Sequence, residues 1–190
     1  MPLKSILVER FRRVQIYRRE CFESVRYPQG KVYEDIDTTY TILNAAKKVA
    51  LIEDPLIMYR RRTDSITEKY SLSSARDRIR SYANIEKKVQ DNSPEIFDQQ
   101  HQQWIYRRRI KVFLDTYARC GKEAKCYKSD ILELGKKVEL ARCDMQTKAF
   151  YSLFRISPRL FKVVYLTALY VKRGIQFLIG LFQLGGKNEL

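Results

Sequence analysis

The sequence predicts a mainly helical protein with a remnant of sheet near residues 14 to 60. Apolar side chains recur at three- and four-residue steps over much of residues 71 to 150, which is the period of a helix packed on one side. The chain has only seven glycines and five prolines among its 190 residues, which argues against a turn-rich all-β protein. Its 45% hydrophobic and 12% aromatic content excludes a disordered chain, and its length suffices for one domain with a core.

Toward the amino terminus the chain is predicted to mix strands, turns and one helix. The segment Tyr27–Gly30 is a turn, because its proline fixes one dihedral angle and its glycine permits a positive φ. Asp35 or Asp37 can cap the helix that follows, and that helix is expected to run to about Lys48. Residues 49–52 form a short apolar run of strand type.

Helices are predicted over the next eighty residues, roughly at residues 75–92, 95–119 and 129–143. Ser73 or Ser74 is the expected N-cap of the first, and Gly121 is the expected stop signal of the second. Trp104 is predicted to lie in the core, because it is one of the apolar residues that recur along its helix. His101 stands among four glutamines and is expected to be exposed.

Residues 151–190 change character, because long apolar and aromatic runs are interrupted by basic residues. Lys172-Arg173 divides the run into pieces shorter than the roughly 20 uncharged residues that a spanning helix needs. The segment 154–184 is therefore interpreted as an amphipathic helix at the surface of an anionic membrane. The alternative is a pair of helices that pack on the preceding ones.

The formal net charge of +15 indicates anionic partners, which include nucleic acids, phosphate-bearing ligands and acidic lipids. Arginines follow a tyrosine at three places, beginning at Tyr17, Tyr59 and Tyr106. Such interleaving suits single-stranded RNA, so a basic module that binds RNA or an anionic membrane stays open as an alternative function. No RNA-binding signature accompanies it, and a solvated helix face is the simpler explanation at Arg107–Arg109.

The four cysteines lack CxxC spacing, and the single histidine, His101, adds no zinc-site pattern. No charged-then-apolar signal segment opens the sequence. The cysteines are therefore interpreted as reduced thiols. We expect a cytoplasmic protein that lies peripherally on the inner face of the membrane.

Three short motifs follow one another between residues 14 and 70. Tyr17–Phe22 comes first, Glu34-Asp35 opens the predicted helix after the glycine turn, and Tyr59–Thr67 lies behind the apolar run and Pro55. This order resembles the carboxyl-terminal part of the catalytic domain in family 2 glycosyltransferases. The resemblance implies an α/β fold by ancestry that is mainly α by content.

The resemblance covers roughly residues 14 to 70, and the changes of pattern along the rest of the chain complete a domain organisation. Residues 1–70 would form a partial nucleotide-sugar transferase domain, residues 71–150 a helical extension, and residues 151–190 an amphipathic, basic and apolar tail.

The resemblance also implies roles for individual residues. In this family the aspartate of the Glu-Asp motif is the base for the acceptor hydroxyl, which points to Asp35, with Glu34 orienting the loop or the acceptor. The structural alternative is that acidic side chains simply favour a helix N-terminus. Arg62 and Ser65 match the family segment near the nucleotide diphosphate, since guanidinium and hydroxyl donors suit phosphate oxygens. The alternative there is a solvated basic loop.

Other parts of the family pattern are expected outside this chain. Family members hold a divalent metal ion through an upstream Asp-x-Asp motif. The only such spacing here, Asp35-Ile36-Asp37, lies within the base motif, so no metal ligand is assigned. We expect the amino-terminal nucleotide-binding half to be missing, and the chain, as a fragment or split member, to be inactive alone. Once completed, it would transfer a sugar from a nucleotide-sugar donor to a hydroxyl of a carbohydrate acceptor.

Overall fold

The computed structural model describes residues 16–50, 70–92 and 99–185, and these ranges are helical and contain no strand. Within these ranges, six α-helices follow one another: α1 (Glu34–Ala45), α2 (Leu72–Asn92), α3 (Gln99–Arg119), α4 (Lys128–Lys137), α5 (Met145–Ile156) and α6 (Pro158–Gly185). Short 3₁₀ segments occur at Arg19–Phe22, Gly121–Tyr127 and Leu140–Arg142. The predicted strand begins at Val49, but most of it lies outside the described residues.

Helix α3 is the centre of the fold, because α2, α4, α5 and α6 all pack against it. Eleven of its side chains are buried, and they lie on most sides of the helix rather than along one stripe. A helix that is apolar on most sides must be surrounded by other elements. The long helix predicted at residues 95–119 from its recurring apolar residues is therefore the central helix of the fold.

Two apolar clusters meet at α3. The amino-terminal core joins α1, α2 and α3 through Tyr40, Leu43, Tyr82, Ile85, Trp104, Ile105 and Val112. The carboxyl-terminal core joins α3 to α4, α5 and α6 through Tyr106, Ile110, Phe113, Leu114, Ala118, Ile131, Leu134, Val138, Cys143, Tyr151, Phe154 and Phe161. The first cluster crosses the boundary expected near residue 70, so α1 rests directly on the helices that follow it.

Helices α2 and α3 end at their predicted positions, Asn92 and Arg119, whereas α1 ends at Ala45 and α4 at Lys137, earlier than predicted. Ser71, rather than Ser73 or Ser74, stands before α2: its hydroxyl accepts from Ser74 N at 3.1 Å, and its own N donates to Ser74 Oγ at 3.1 Å. Gly121 follows α3 with a φ of 64°, which only glycine adopts readily. Helix α4 ends at Lys137 and is shorter than predicted, because the backbone of Val138 is already in an extended conformation.

The expectation that His101 is exposed is wrong, because only 3% of its surface is accessible. The glutamine-rich start of α3 packs against the end of α4. Gln103 Nε2 donates to the Lys137 carbonyl at 3.0 Å, and Glu139 N donates to Gln103 Oε1 at 2.7 Å. Burial of the Gln103 side chain costs little free energy, because its amide nitrogen and oxygen are both hydrogen-bonded.

The segment predicted as a membrane-binding tail is divided by the structure. Phe154 and Phe161 are buried in the carboxyl-terminal core, and Tyr165 Oη donates to Asp115 Oδ1 at 2.9 Å. This part therefore packs on the preceding helices, as the alternative interpretation predicted. Within the described ranges, every helix is too short or too polar to cross a membrane.

Candidate functional site

The chain enters α1 through a strained turn that α2 holds in place. Tyr33 has a φ of 64°, which is uncommon for a residue other than glycine. Val32 N donates to Asp77 Oδ2 at 3.3 Å, and Ser81 Oγ donates to the Tyr33 carbonyl at 3.5 Å. The Arg78 guanidinium lies 5.3 Å from the centre of the Tyr33 ring. These contacts fix the direction in which the first turn of α1 begins.

Three acidic residues stand in that first turn, and one of them has a structural partner. Asp37 is half-buried and forms an ion pair with Lys88 of α2, with Nζ and Oδ1 2.7 Å apart. Asn84 Nδ2 also donates to Asp37 Oδ2 at 3.2 Å. Asp37 therefore ties α1 to α2.

Asp35 has a different environment. It is exposed to solvent, and no lysine or arginine in the described part of the chain pairs with it. The protein around it removes enough water to raise the pKa of its carboxyl above the ordinary value, and the adjacent Glu34 carboxylate raises that pKa further. Backbone amides of the first turn oppose the increase. An accessible carboxylate with a raised pKa is a stronger base than a free aspartate.

An aromatic cluster of Tyr17, Phe22 and Tyr27 is attached to α1, the helix that carries this carboxylate. Tyr17 and Phe22 meet edge to face with their centroids 5.6 Å apart, and Phe22 lies 5.9 Å from Tyr27. Tyr17 Oη donates to Thr39 Oγ1 of α1 at 3.3 Å, which attaches the cluster to the helix. Burial raises the pKa of the Tyr17 phenol, and the nearby Tyr27 and Asp35 groups contribute to the increase.

The aromatic cluster was not identified from the sequence. Its three residues recur at five-residue steps, which matches neither a helix nor a strand. The motif beginning at Tyr17 drew attention to its arginines, whereas the structure shows that the tyrosine ring is the part that approaches α1.

The residues around α1 do not fit a metal site. Within residues 16–50, 70–92 and 99–185, no three His, Cys, Asp or Glu side chains are grouped as metal ligands would be. Asp37, the second aspartate of Asp35-Ile36-Asp37, is already neutralised by Lys88. Arg62 and Ser65, predicted at the diphosphate, lie outside the described residues.

The arginines at 107–109 contact the protein itself. None of the three is fully exposed. The partners are the Gln103 and Arg142 carbonyls for Arg107, the Trp104 ring for Arg108 and the Glu86 carboxylate for Arg109. These contacts account for the triplet without a nucleic acid.

Part of the chain is similar to a protein named Glycosyltransferase GlyG from Streptococcus pneumoniae serotype 4, with 32% identity over 78 residues. The match covers 40% of this chain and 25% of GlyG, so the chain spans about a quarter of the length of this relative. No family model and no solved structure matches the chain. The similarity supports a relationship between this chain and glycosyltransferases.

Proposed function

We propose that this chain is the acceptor-side part of a family 2 glycosyltransferase, which moves a sugar from a nucleotide-sugar donor to an acceptor hydroxyl. Asp35 is the base that removes the proton of the attacking hydroxyl. Burial raises the pKa of Asp35, Glu34 raises it further, and Glu34 also orients the loop or the acceptor. The similarity to GlyG supports the class, and the motif order supports the family.

The observation that carries the proposal is the difference between the two aspartates of one helical turn. Asp37 is bound by Lys88, which accounts for its presence structurally. Asp35 is accessible, has no cationic partner among the described residues and has a raised pKa. A carboxylate that only served a helix start would not need this environment.

The aromatic cluster supports a carbohydrate as the acceptor. Tyr27 is 40% exposed, and the cluster lies close enough to Asp35 for the two to influence each other electrostatically. Aromatic rings beside a few polar groups are typical of ligand sites, because the rings cover apolar faces while the polar groups fix orientation. A sugar ring has an apolar C–H face and hydroxyl edges, and it suits both parts.

The donor side of the proposal rests on residues beyond this site. Arg62 and Ser65 bind the nucleotide diphosphate, together with a nucleotide-binding half of the kind that family 2 enzymes contain. A divalent metal ion, where the intact enzyme uses one, is held by that half. In this chain the helical extension supports α1, because Tyr40 and Leu43 pack against Tyr82 and Trp104.

The test is a transfer assay on the chain co-expressed with the nucleotide-binding half of a family 2 enzyme. Asp35→Asn removes the base and lowers the rate by roughly 10²–10⁴-fold. Asp130→Asn is the matched control, since Asp130 is an exposed aspartate in the first turn of α4. The control leaves the rate unchanged.

A near-normal rate for Asp35→Asn would reduce Asp35 to a helix-start residue and overturn its assignment as the base. Without the added half, we expect no turnover of nucleotide sugars. Transfer by the purified chain alone would contradict the division into two halves, although it would leave the base assignment standing.

A further inference from the structure

Helix α6 presents an apolar face that nothing in the described structure covers. Phe161 is buried against α3, and Tyr165 also points to that helix. On the other side, apolar side chains recur at three- and four-residue steps over four turns. The exposed face of α6 consists of Leu160, Val163, Val164, Tyr170, Val171 and Ile175.

The degree of exposure distinguishes this face from scattered surface apolar residues. Tyr170 is 73% exposed, Val163 63% and Val171 56%, so the face projects into solvent over its length. Ile156, at the end of α5, is 80% exposed and precedes the face in the chain. A contiguous apolar patch of this kind marks an interaction site.

The side chains around the face are predominantly basic. Residues 145–185 contain six lysines and arginines and not one aspartate or glutamate. Arg159 and Lys172 are both exposed, and at 100° per residue they lie beyond opposite edges of the exposed face of α6. The apolar strip is thus flanked by positive charge on both sides.

We propose that the exposed face of α6 binds the surface of an anionic lipid membrane, with the helix lying in the plane of the interface. Apolar and aromatic side chains enter the boundary between headgroups and acyl chains, while the flanking basic residues meet lipid phosphates. This proposal corrects the sequence-based one, because Phe154 and Phe161 belong to the core and take no part.

A second copy of the chain is the competing occupant, and the charges disfavour it. Pairing two of these faces would bring Arg159 and Lys172 of one copy near basic residues of the other. Helix α6 has no acidic side chain to neutralise them. Like charges beside an apolar seam weaken association, whereas an anionic lipid surface neutralises them.

The experiment is co-sedimentation of the full chain with vesicles of phosphatidylcholine alone and of phosphatidylcholine with phosphatidylglycerol. Binding is expected only to the anionic vesicles and is expected to fall as salt increases. Arg159→Glu combined with Lys172→Glu should lower partitioning at least tenfold, since each basic residue near such a surface contributes about a fivefold increase. Lys125→Glu combined with Lys136→Glu is the matched control, because both lysines are exposed outside α6.

The apolar contribution is tested separately with Val163→Ser combined with Val171→Ser, against Ile16→Ser, which removes a side chain that is 94% exposed elsewhere. The α6 variant should lose binding, and the control should keep it. All substitutions are at exposed positions, so the circular dichroism spectrum should not change.

Equal binding to both kinds of vesicle, or a concentration-dependent dimer that the α6 variant dissociates and that ignores lipid, would overturn the proposal. The outcome is independent of transferase activity.

Discussion

Lys88 Nζ lies 2.7 Å from Asp37 Oδ1, and this ion pair joins α2 to α1 two residues beyond Asp35. The same ammonium donates to Thr41 Oγ1 at 3.0 Å, one turn further along α1. Lys88 therefore holds the helix that presents Asp35 without touching Asp35 itself. The support of α1 is thus assigned to Asp37 and Lys88, and this assignment can be tested by stability measurements alone.

Replacing Lys88 by methionine should lower the free energy of unfolding by about 1 kcal/mol. Methionine keeps the apolar stem, but half-buried Asp37 loses its ammonium partner. The measurement is urea unfolding followed by circular dichroism. Lys87→Met is the control, because Lys87 is the exposed neighbour on α2, and its midpoint should stay within error of the parent protein. Equal midpoints for the two variants would show that the ion pair does not support α1.

Asp35→Asn should leave stability at pH 7 unchanged or raise it. The pKa of Asp35 is raised in the folded state above its ordinary value of 3.8, so folding favours the protonated form. The stability contributed by the carboxyl is therefore complete below that ordinary value, and it is lost as the pH rises through the folded pKa. Relative to the variant, the parent protein should lose stability in thermal unfolding as the pH rises from below 3.8 through the raised folded-state pKa. A substantial loss of stability in the variant at pH 7 would favour the helix-start role.

The helical core was predictable because its signals are local. Apolar residues at three- and four-residue steps predicted α2 and α3. They also predicted that Trp104 is buried, and its exposed fraction of 5% confirms this. Helix α2 begins at Leu72, a few residues before the predicted start, because Ser71 rather than Ser73 or Ser74 precedes it and exchanges hydrogen bonds with Ser74.

Other features depend on tertiary partners that the sequence does not place. His101 and Gln103 are both buried, and Gln103 is covered by the end of α4, to which it hydrogen-bonds, whereas the polar neighbours in sequence suggested exposure. In the candidate site, the motif identified Asp35, but the aromatic cluster and the pairing of Asp37 with Lys88 join residues far apart in the chain. Spacing along one segment cannot reveal such pairs.

Asp144 should show a pH dependence opposite to that of Asp35. Burial alone would raise the pKa of its carboxyl, but hydrogen bonds from Thr147 N and Oγ1, both 2.9 Å long, and the charge of Lys111 lower it. Its stabilisation is present above the ordinary value of 3.8 and is lost as the pH falls through the folded pKa. Asp144→Ala removes the N-cap of α5 and should cost about 1 kcal/mol at pH 7. Asp130→Ala, in the first turn of α4, should cost clearly less, and equal costs would contradict the capping role.

The first turns of α6 should unfold together with the core in one cooperative transition. Tyr165→Phe deletes the hydroxyl that donates to Asp115 Oδ1 at 2.9 Å and should lower the free energy of unfolding by about 1 kcal/mol. Tyr170→Phe, at a position 73% exposed on the same helix, should change nothing in the same denaturation experiment. If both variants unfold at the parent midpoint, this part of α6 does not dock on α3 in solution.

Gly135→Ala should destabilise the protein, although the same change stabilises most helices by about 1 kcal/mol. A Cβ atom at Gly135 of α4 would overlap the ring and hydroxyl of Tyr151, which is 3% exposed on α5. Relief of this overlap requires movement of a packed aromatic ring, and the expected net loss is about 1–3 kcal/mol in chemical denaturation. Gly174→Ala is the matched control, since a Cβ atom there meets nothing within 4 Å and should stabilise α6 slightly. In the Tyr151→Ala background, Gly135→Ala should cost nothing further, and a cost that persists there would show that the ring is not the obstacle.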